Sequence, residues 1–350
     1  MTRGGGEKAV TLLWALRSPC PLSCRYCYFG TIEEHRDSPV TGPGTLSHLS
    51  RNDLTAADVL AFARSIAGSA VKRVFLAGGE PLVWPPILSL IEILKGGGVQ
   101  VVVATNGIPL NRPDLARALV DLQVDAVSVS LDSTDAAYND AWRPARNGKD
   151  GWQQVIDGIQ SLSAARGTAP APHVGVYMVV TRHNLTDLTA TGRLAADLGC
   201  DYFVPQPVAL DPDHTLHRQL ALTTDDLPIL GQQFAALADA QLPVWTPRAS
   251  YPGQVADAVR VPTGFVRGCF GGRSLFFIEP DGSVWDCPSS LRIAATPASR
   301  RRTILDGTAA QVFAADDGCA DCPLFSVDCV NMWPLMDFDQ VLSTSAGTAS

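Results

Sequence analysis

Cys20-Pro21-Leu22-Ser23-Cys24-Arg25-Tyr26-Cys27 sets three thiols within one short segment, directly after an apolar run at 10–16. The chain has nine cysteines: these three, five more between Cys269 and Cys329, and Cys200 alone. Disulfide scaffolds belong to short secreted domains with even cysteine counts. Here the count is odd, the chain is 350 residues long, and Met1 to Lys8 is Gly-rich and polar rather than the apolar centre of a signal peptide. Clustered thiols in such a chain point to metal. Three thiolates at this spacing can each take one corner of a cubane iron–sulfur cluster, leaving a fourth iron without a protein ligand. Structural zinc prefers four ligands in paired short spacings, and no fourth ligand stands near Cys27.

Outward from this segment, apolar runs at 10–16, 73–77, 99–104, 126–131, 174–180 and 202–205 alternate with amphipathic stretches at 56–67, 86–94, 114–122, 152–165 and 185–198. Strands buried on both faces read as continuous apolar runs, and repeated strand–helix units build a parallel sheet. Six units fall short of an eight-unit closed barrel. The expected fold is α/β, an open partial (βα)6 barrel over 10–206 behind a short tail at 1–9. A long loop is expected over 31–52, then a connecting region at 207–265 with one helix at 225–240 capped by Thr223 or Thr224. Alternating segments at 274–279 and 283–286 flank Pro280-Asp281-Gly282, a hairpin with its turn. A small hairpin-and-helix extension is thus expected over 266–340 and a frayed tail over 341–350.

Lys plus Arg number 27 against 35 Asp plus Glu, a net charge of 27 − 35 = −8 that argues against a nucleic-acid partner. The dense basic run Arg300-Arg301-Arg302 reads as a solvated loop. No apolar stretch approaches a membrane span in length, so a cytoplasmic protein is expected.

Polar motifs follow the apolar runs. Gly78-Gly79-Glu80-Pro81 closes the second, Thr105-Asn106-Gly107 the third, and Ser128-Val129-Ser130-Leu131-Asp132 the fourth. Arg143 follows in Trp142-Arg143-Pro144, and Asn184 comes after the fifth run. Singly, each is an ordinary loop residue. At successive carboxyl ends of parallel strands they describe one pocket. Cys-x3-Cys-x2-Cys after the first strand, with Gly-Gly-Glu-Pro after the second, resembles the signature of the radical S-adenosylmethionine (SAM) superfamily, and the resemblance covers 10–206. It implies that Cys20, Cys24 and Cys27 hold a 4Fe–4S cluster whose open iron is chelated by SAM, and that electron transfer cleaves SAM to a 5′-deoxyadenosyl radical. It also implies a SAM-binding set of Tyr26, Gly78, Gly79, Glu80, Pro81, Thr105, Asn106, Ser130, Asp132, Arg143 and Asn184. Glu80 would face the SAM ammonium, with Tyr26, Tyr28 and Phe29 beside cluster and adenine. A reducing partner such as flavodoxin or ferredoxin belongs to the same implication.

The second thiol group runs Cys269, Cys287, Cys319-Ala320-Asp321-Cys322 and Cys329. It resembles the auxiliary-cluster extension called SPASM, or its shortened form, twitch. A full SPASM pattern would carry a cysteine where this chain has Trp333. The resemblance therefore implies one auxiliary 4Fe–4S cluster, held by Cys269, Cys287, Cys319 and Cys322, with Cys329 replacing one of them or staying free. Four thiolates with a Cys-x2-Cys are equally good zinc ligands.

Twitch enzymes that oxidise aminocyclitols and sugars in antibiotic pathways resemble this chain in size and layout. The expected function is hydrogen abstraction from a small polar, sugar- or cyclitol-like natural-product intermediate, with the auxiliary cluster accepting an electron. The alternatives are maturation of a ribosomally made peptide by crosslinking or epimerisation, and radical decarboxylation or epimerisation of a sugar-like substrate. Only nine residues precede Val10, too few for a leader-binding domain, which turns the expectation toward the small molecule. Arg143 and Asp281 are candidate catalytic residues. Asp286, His173, His183, His214 and His217 are further proton acceptors to weigh, and Tyr177, Gln206 and Asn184 are expected to face substrate. Cys200 reads as a buried apolar thiol.

Overall fold

The computed structural model describes residues 9–16, 20–27, 54–146, 148, 150–210, 212–260, 265–314 and 321–343. The expectations for the 31–52 loop, Tyr28, Phe29, Cys319 and residues 1–8 and 344–350 lie outside the described residues; the tail expected from 341 begins later, because a helix at Asp339–Ser343 buries Val341.

Six strands, β1 (Val10–Leu16), β2 (Val71–Gly78), β3 (Gln100–Thr105), β4 (Ala126–Ser130), β5 (His173–Val180) and β6 (Tyr202–Pro207), pair in parallel and in chain order. A doubly wound sheet would reverse its order at a switch point. Unbroken order keeps right-handed crossovers on one face and lets the other face curl around an interior. The crossovers carry α1 (Ala56–Arg64), α2 (Ile87–Gly96), α3 (Pro113–Asp121), α4 (Ala136–Trp142), α5 (Gly151–Arg166) and α6 (Leu188–Asp197). Their starts follow local chemistry: Thr55 and Asp58 form a reciprocal capping box on α1, and Pro113 opens α3 where no backbone donor is needed. The expected open α/β partial barrel is the observed one.

Each strand buries both faces. Val74, Leu76, Val101, Val103, Val127, Val129, Val174 and Val176 pack in the core that the helices complete. Phe75, Val102, Ala126, Tyr202 and Val204 belong to a second core on the interior side. That double burial is why the strands read as unbroken apolar runs rather than alternating ones.

What fills the interior is the C-terminal region. β7 (Leu275–Ile278) joins the sheet in parallel beside β1, and β8 (Ser283–Trp285) and β9 (Arg302–Thr303) continue it antiparallel, giving this sheet nine strands among the described residues. The hairpin is thus sewn into the barrel sheet. Beyond it, α9 (Val327–Met336) follows α7 (Leu227–Asp239) and α8 (Tyr251–Arg260). Met332, Leu335 and Phe338 pack on the interior core, Phe338 edge-on to Phe75 at 5.0 Å and to Tyr202 at 5.4 Å. Arg73 pairs with Asp339 alongside.

One local expectation is met and one needs correction. The helix expected at 225–240 begins as a 3-10 turn at Thr224–Asp226, with Thr223 and Asp226 forming its capping box, and then runs as α7. Arg302, assigned to a solvated loop, is half-buried in β9, ion-paired with Asp286 at 2.7 Å and set over the Phe276 ring. The helix expected within the 266–340 extension includes α9, whose bounds periodicity does not mark because its buried residues run all round rather than along one stripe and Pro334 lies inside it.

Candidate functional site

The segment 20–27 has no regular structure of its own; it is held from outside. Ser23 N–H donates to the Pro144 carbonyl at 2.9 Å, Arg25 N–H to Trp142 at 2.9 Å, and Arg146 N–H to Pro21 at 2.8 Å. Arg146 Nε also donates to the Leu22 carbonyl at 3.2 Å. The end of α4 and the turn after it are therefore the template on which the three thiols are set.

Cys20, Cys24 and Cys27 line one cavity of about 280 Å³ at the carboxyl ends of the strands. Seven of the residues expected to bind SAM line it too: Tyr26, Gly78, Gly79, Thr105, Asn106, Ser130 and Arg143. Gly78 sits at φ +129° with the Leu16 carbonyl oxygen 2.2 Å from where a Cβ would stand, so only glycine lets β2 pass β1 at this rim.

Glu80, Pro81, Asp132 and Asn184 do not line the cavity; the polar ones brace its wall. The fully buried Glu80 carboxylate accepts from Leu82 N–H at 3.0 Å, the Thr105 hydroxyl at 2.8 Å and Asn106 N–H at 2.7 Å. Burial pushes its pKa up to about 7 against those bonds. It faces the protein rather than a ligand ammonium, and fixes Asn106, whose Nδ2 donates to Cys20 Sγ at 3.5 Å. Asp132, also fully buried, accepts from Tyr26 Oη and Arg143 Nε, from the second Arg143 nitrogen at 3.1 Å, and from Val179 N–H at 2.8 Å. Arg143 in turn donates to Cys24 Sγ at 3.6 Å and lies over the Tyr26 ring. Burial opposes the Arg143 charge, but Asp132, Tyr26 and Cys24 together outweigh it and hold the guanidinium protonated. Asn184 spans the carbonyls of Asp132 and Val179 at 2.8 and 2.9 Å.

A second, small cavity is lined by Cys269, Cys287, Cys322 and Cys329. Cys329, the uncertain member in the sequence, stands with the other three, while Cys319 lies outside the described residues. Met332 lines both cavities. Among the described residues no three ligating side chains are gathered tightly enough for one metal ion; in each place the thiols share the wall of a cavity. That arrangement fits a multi-iron body taking one thiolate at each corner. Burial raises the Cys20 thiol to about 11, and raises Cys24, Cys287 and Cys329 as well. Bare thiolates are disfavoured at these positions without a compensating cation.

The expected proton acceptors are not gathered. Asp281 accepts from Ser283 N–H at 2.9 Å, as turn chemistry requires. Asp286 is paired with Arg292 and Arg302. His173 begins β5, at the end of the sheet away from the cavity, and His183 stacks on Trp142. His214 Nδ1 accepts from Leu216 N–H, and His217 opens a short helix. No carboxylate or imidazole lines the large cavity among the described residues. Tyr177 and Gln206 do line it, as expected. Asn331, Met332 and Leu335 of α9 line it as well and were missed; the available signal was one amide inside the apolar run Val330-Asn331-Met332-Trp333. Cys200 is buried in the core, as read.

Relatives agree with this geometry. The chain is 27% identical over 307 residues to the mycofactocin maturase MftC of Mycobacterium ulcerans, covering 82% of this chain and 70% of that protein. It is 24% identical over 290 residues to an AdoMet-dependent heme synthase of Methanosarcina barkeri, covering 79% and 76%. Among solved structures, SuiB of Streptococcus suis bound to S-adenosylmethionine shares the fold at a TM-score of 0.65 and 15% identity, over 89% of this chain and 67% of SuiB. SuiB bound to its precursor peptide SuiA gives 0.63. No helix among the described residues is long and apolar enough to cross a membrane. Residues 19–195, half of the chain, match the radical SAM superfamily, and with its three-thiol cavity at the carboxyl ends of a partial barrel the chain belongs to that superfamily of 4Fe–4S, SAM-dependent enzymes.

Proposed function

We propose that this radical SAM enzyme is a maturase that modifies a side chain of a peptide. The observation that carries the reading is the large cavity itself. It joins the three thiols to a wall rich in Leu13, Phe75, Val179, Met332 and Leu335. An apolar side chain fits that part of the wall, and Ser128, Tyr177, Gln206 and Asn331 offer the rest of a peptide polar contacts. Similarity to the MftC maturase over most of the chain supports the same choice, and so does the fold shared with a protein that binds a precursor peptide. The peptide alternative therefore replaces the sugar-like substrate favoured by the sequence.

SAM and the cluster beneath it supply, when bound, a 5′-deoxyadenosyl radical that removes a hydrogen atom from substrate. The protein's own part is to hold and shield. Cys20, Cys24 and Cys27 are the ligands, with Asn106 and Arg143 donating to two of the sulfurs and so fixing them. Gly78 and Gly79 open the rim to the amino-acid end of SAM. The apolar part of the wall shields the bound substrate from solvent. Cys269, Cys287, Cys322 and Cys329 would hold an auxiliary cluster, in a cavity that shares Met332 with the larger one.

The test is anaerobic. Reconstituted protein, SAM and reductant are incubated with a pool of short peptides, or with a pool of sugars and cyclitols, and 5′-deoxyadenosine is measured above background. Stimulation by peptides, absent in the Cys20/Cys24/Cys27→Ala triple variant, is expected. Stimulation by the sugar pool alone would overturn the reading.

A further inference from the structure

The stretch that carries Cys269 and Cys287 differs in charge from the rest of the chain. From Phe265 to Thr303 there are six arginines against Glu279, Asp281 and Asp286, a net charge of 6 − 3 = +3 in a chain whose total is −8. The acids of this stretch are turned inward. Glu279 and Asp286 are buried, Asp286 between Arg292 and Arg302, and Asp281 is half-buried on Ser283 N–H. Four of the arginines, Arg267, Arg273, Arg300 and Arg301, are exposed. Apolar groups are exposed in the same stretch of chain. Of four exposed large hydrophobic side chains among the described residues, Phe265, Leu291 and Leu305 lie between 265 and 305.

Chain position ties these groups to the wall of the second thiol cavity. Val266 lines that cavity, and the strand Val266–Arg267 pairs antiparallel with Asp321–Cys322. Successive residues of a strand face opposite sides, so Phe265 and Arg267 stand on the outer side of the wall. Leu291 directly precedes Arg292, another wall residue. Arg273 follows two residues after Gly271, where a Cβ would meet Cys269 Sγ at 3.5 Å and Cys287 Cβ at 3.4 Å. The exposed Asp321 stands across from Arg267 and accepts from Gly268 N–H at 3.1 Å, while Asp316 and Asp317 lie outside the described residues. Cys269, Cys287 and Cys329 are themselves partly exposed, so the thiols lie close beneath this face.

We infer that this basic face, with Phe265 and Leu291 on it, docks a small acidic electron-carrier protein over the second thiol set. Exposed apolar groups mark interaction surfaces, and arginine and aromatic residues are enriched in them. A chain of net charge −8 repels an acidic partner overall, so the positive stretch decides where such a partner lands. An electron crosses between proteins only over a short gap, and the thiols beneath fit a multi-iron body. Electron-transfer encounters use small interfaces, below about 1,200 Å², a scale suited to the rim of one small cavity. The inference rests on the auxiliary-cluster reading of these thiols and holds for either substrate class.

The experiment titrates anaerobic holoenzyme with an acidic flavodoxin and an acidic 2Fe–2S ferredoxin by calorimetry, at low and high ionic strength. At least one carrier is expected to bind at low ionic strength and to weaken as salt rises. Arg267→Glu/Arg273→Glu and, separately, Phe265→Ser/Leu291→Ser, each checked for native circular dichroism and iron content, should weaken binding about tenfold or more. Arg117→Glu, at an exposed position on α3, should leave it unchanged. No binding by either carrier, binding that both double variants leave intact, or an equal loss in Arg117→Glu would overturn the proposal. Binding to phosphatidylserine vesicles but to neither carrier would overturn it in favour of a membrane surface. If a carrier binds through this face while the Cys20/Cys24/Cys27→Ala triple variant holds no iron, the docking face stands and the auxiliary-cluster reading falls. If that variant keeps about four irons but no carrier binds, the cluster reading stands and the docking face falls.

Discussion

Replacing Asp132 by Asn keeps its shape and removes its charge at the centre of the site. Asp132 is fully buried and accepts from four donors: Tyr26 Oη and Arg143 Nε on one oxygen, Arg143 Nη2 and Val179 N–H on the other. An amide offers one oxygen. Whichever way it turns, its NH2 faces an Arg143 N–H, a donor against a donor, and the guanidinium is left buried without a counter-charge. Breaking a buried ion pair from one side costs about 3–5 kcal/mol, a large part of the roughly 5–15 kcal/mol that holds a typical domain together. Anaerobic urea denaturation of wild type, Asp132→Asn, Arg143→Leu and the Asp132→Asn/Arg143→Leu double variant measures it. Each single variant should lose several kcal/mol, and the double variant should lose clearly less than their sum, because no charge is then stranded. Because Arg143 also donates to Cys24, iron content of the Asp132→Asn protein should fall as well. A loss below about 1 kcal/mol, or strict additivity in the cycle, would refute the claim that this pair braces the thiol segment.

Three further outcomes follow from the same geometry. Cys329→Ala should lower iron in the reconstituted protein by about four atoms if Cys329 is an auxiliary ligand; unchanged iron would transfer the role to Cys319, and zinc in wild type would make the second site structural. Gly78→Ala should destabilise by at least about 1–3 kcal/mol and reduce SAM-dependent deoxyadenosine formation, since its Cβ would meet the Leu16 carbonyl oxygen at 2.2 Å; a stable, fully active Gly78→Ala protein would count against that close approach. Glu279 is buried, accepts from Trp285 Nε1, and is raised by desolvation to about 7 from 4.5. Its contribution is therefore fully present below pH 4.5 and lost as pH rises through about 7. Glu279→Gln should flatten the fall in stability between pH 5 and pH 8 that chemical denaturation records in wild type, and an unaltered slope would assign that fall to other groups.

Much of this molecule was legible from residue order. The cysteine spacing, the strand-end motifs and the turn at Pro280-Asp281-Gly282 are local features whose chemistry needs neighbours only a few residues away. They pointed to the family, to the open barrel and to most of the cavity rim. The roles of Glu80, Asp132 and Asn184 were less readable, because a carboxylate or amide beside a strand end can turn toward a ligand or inward to backbone donors. Only the packed neighbours decide, and here Thr105, Asn106, Val179 and Arg143 draw them inward. Arg302 was misread for the same reason, its partner Asp286 lying across the hairpin.

By itself, the sequence determined the strand–helix alternation, the thiol sets and the chemistry they fit, since periodicity and short-range spacing act within a single element. Tertiary structure alone decided how the thiol segment is held, through bonds from Ser23 and Arg25 to Pro144 and Trp142 and from Arg146 back to Pro21. It also decided that Cys329 joins Cys269, Cys287 and Cys322, and that Asn331 and Phe338 reach the interior beside Tyr177, Tyr202 and Phe75. These contacts join residues far apart in the chain. They form only once an all-round-buried helix such as α9 finds the one apolar interior that can cover it, and that match is a property of the assembled surfaces rather than of any stretch of residues.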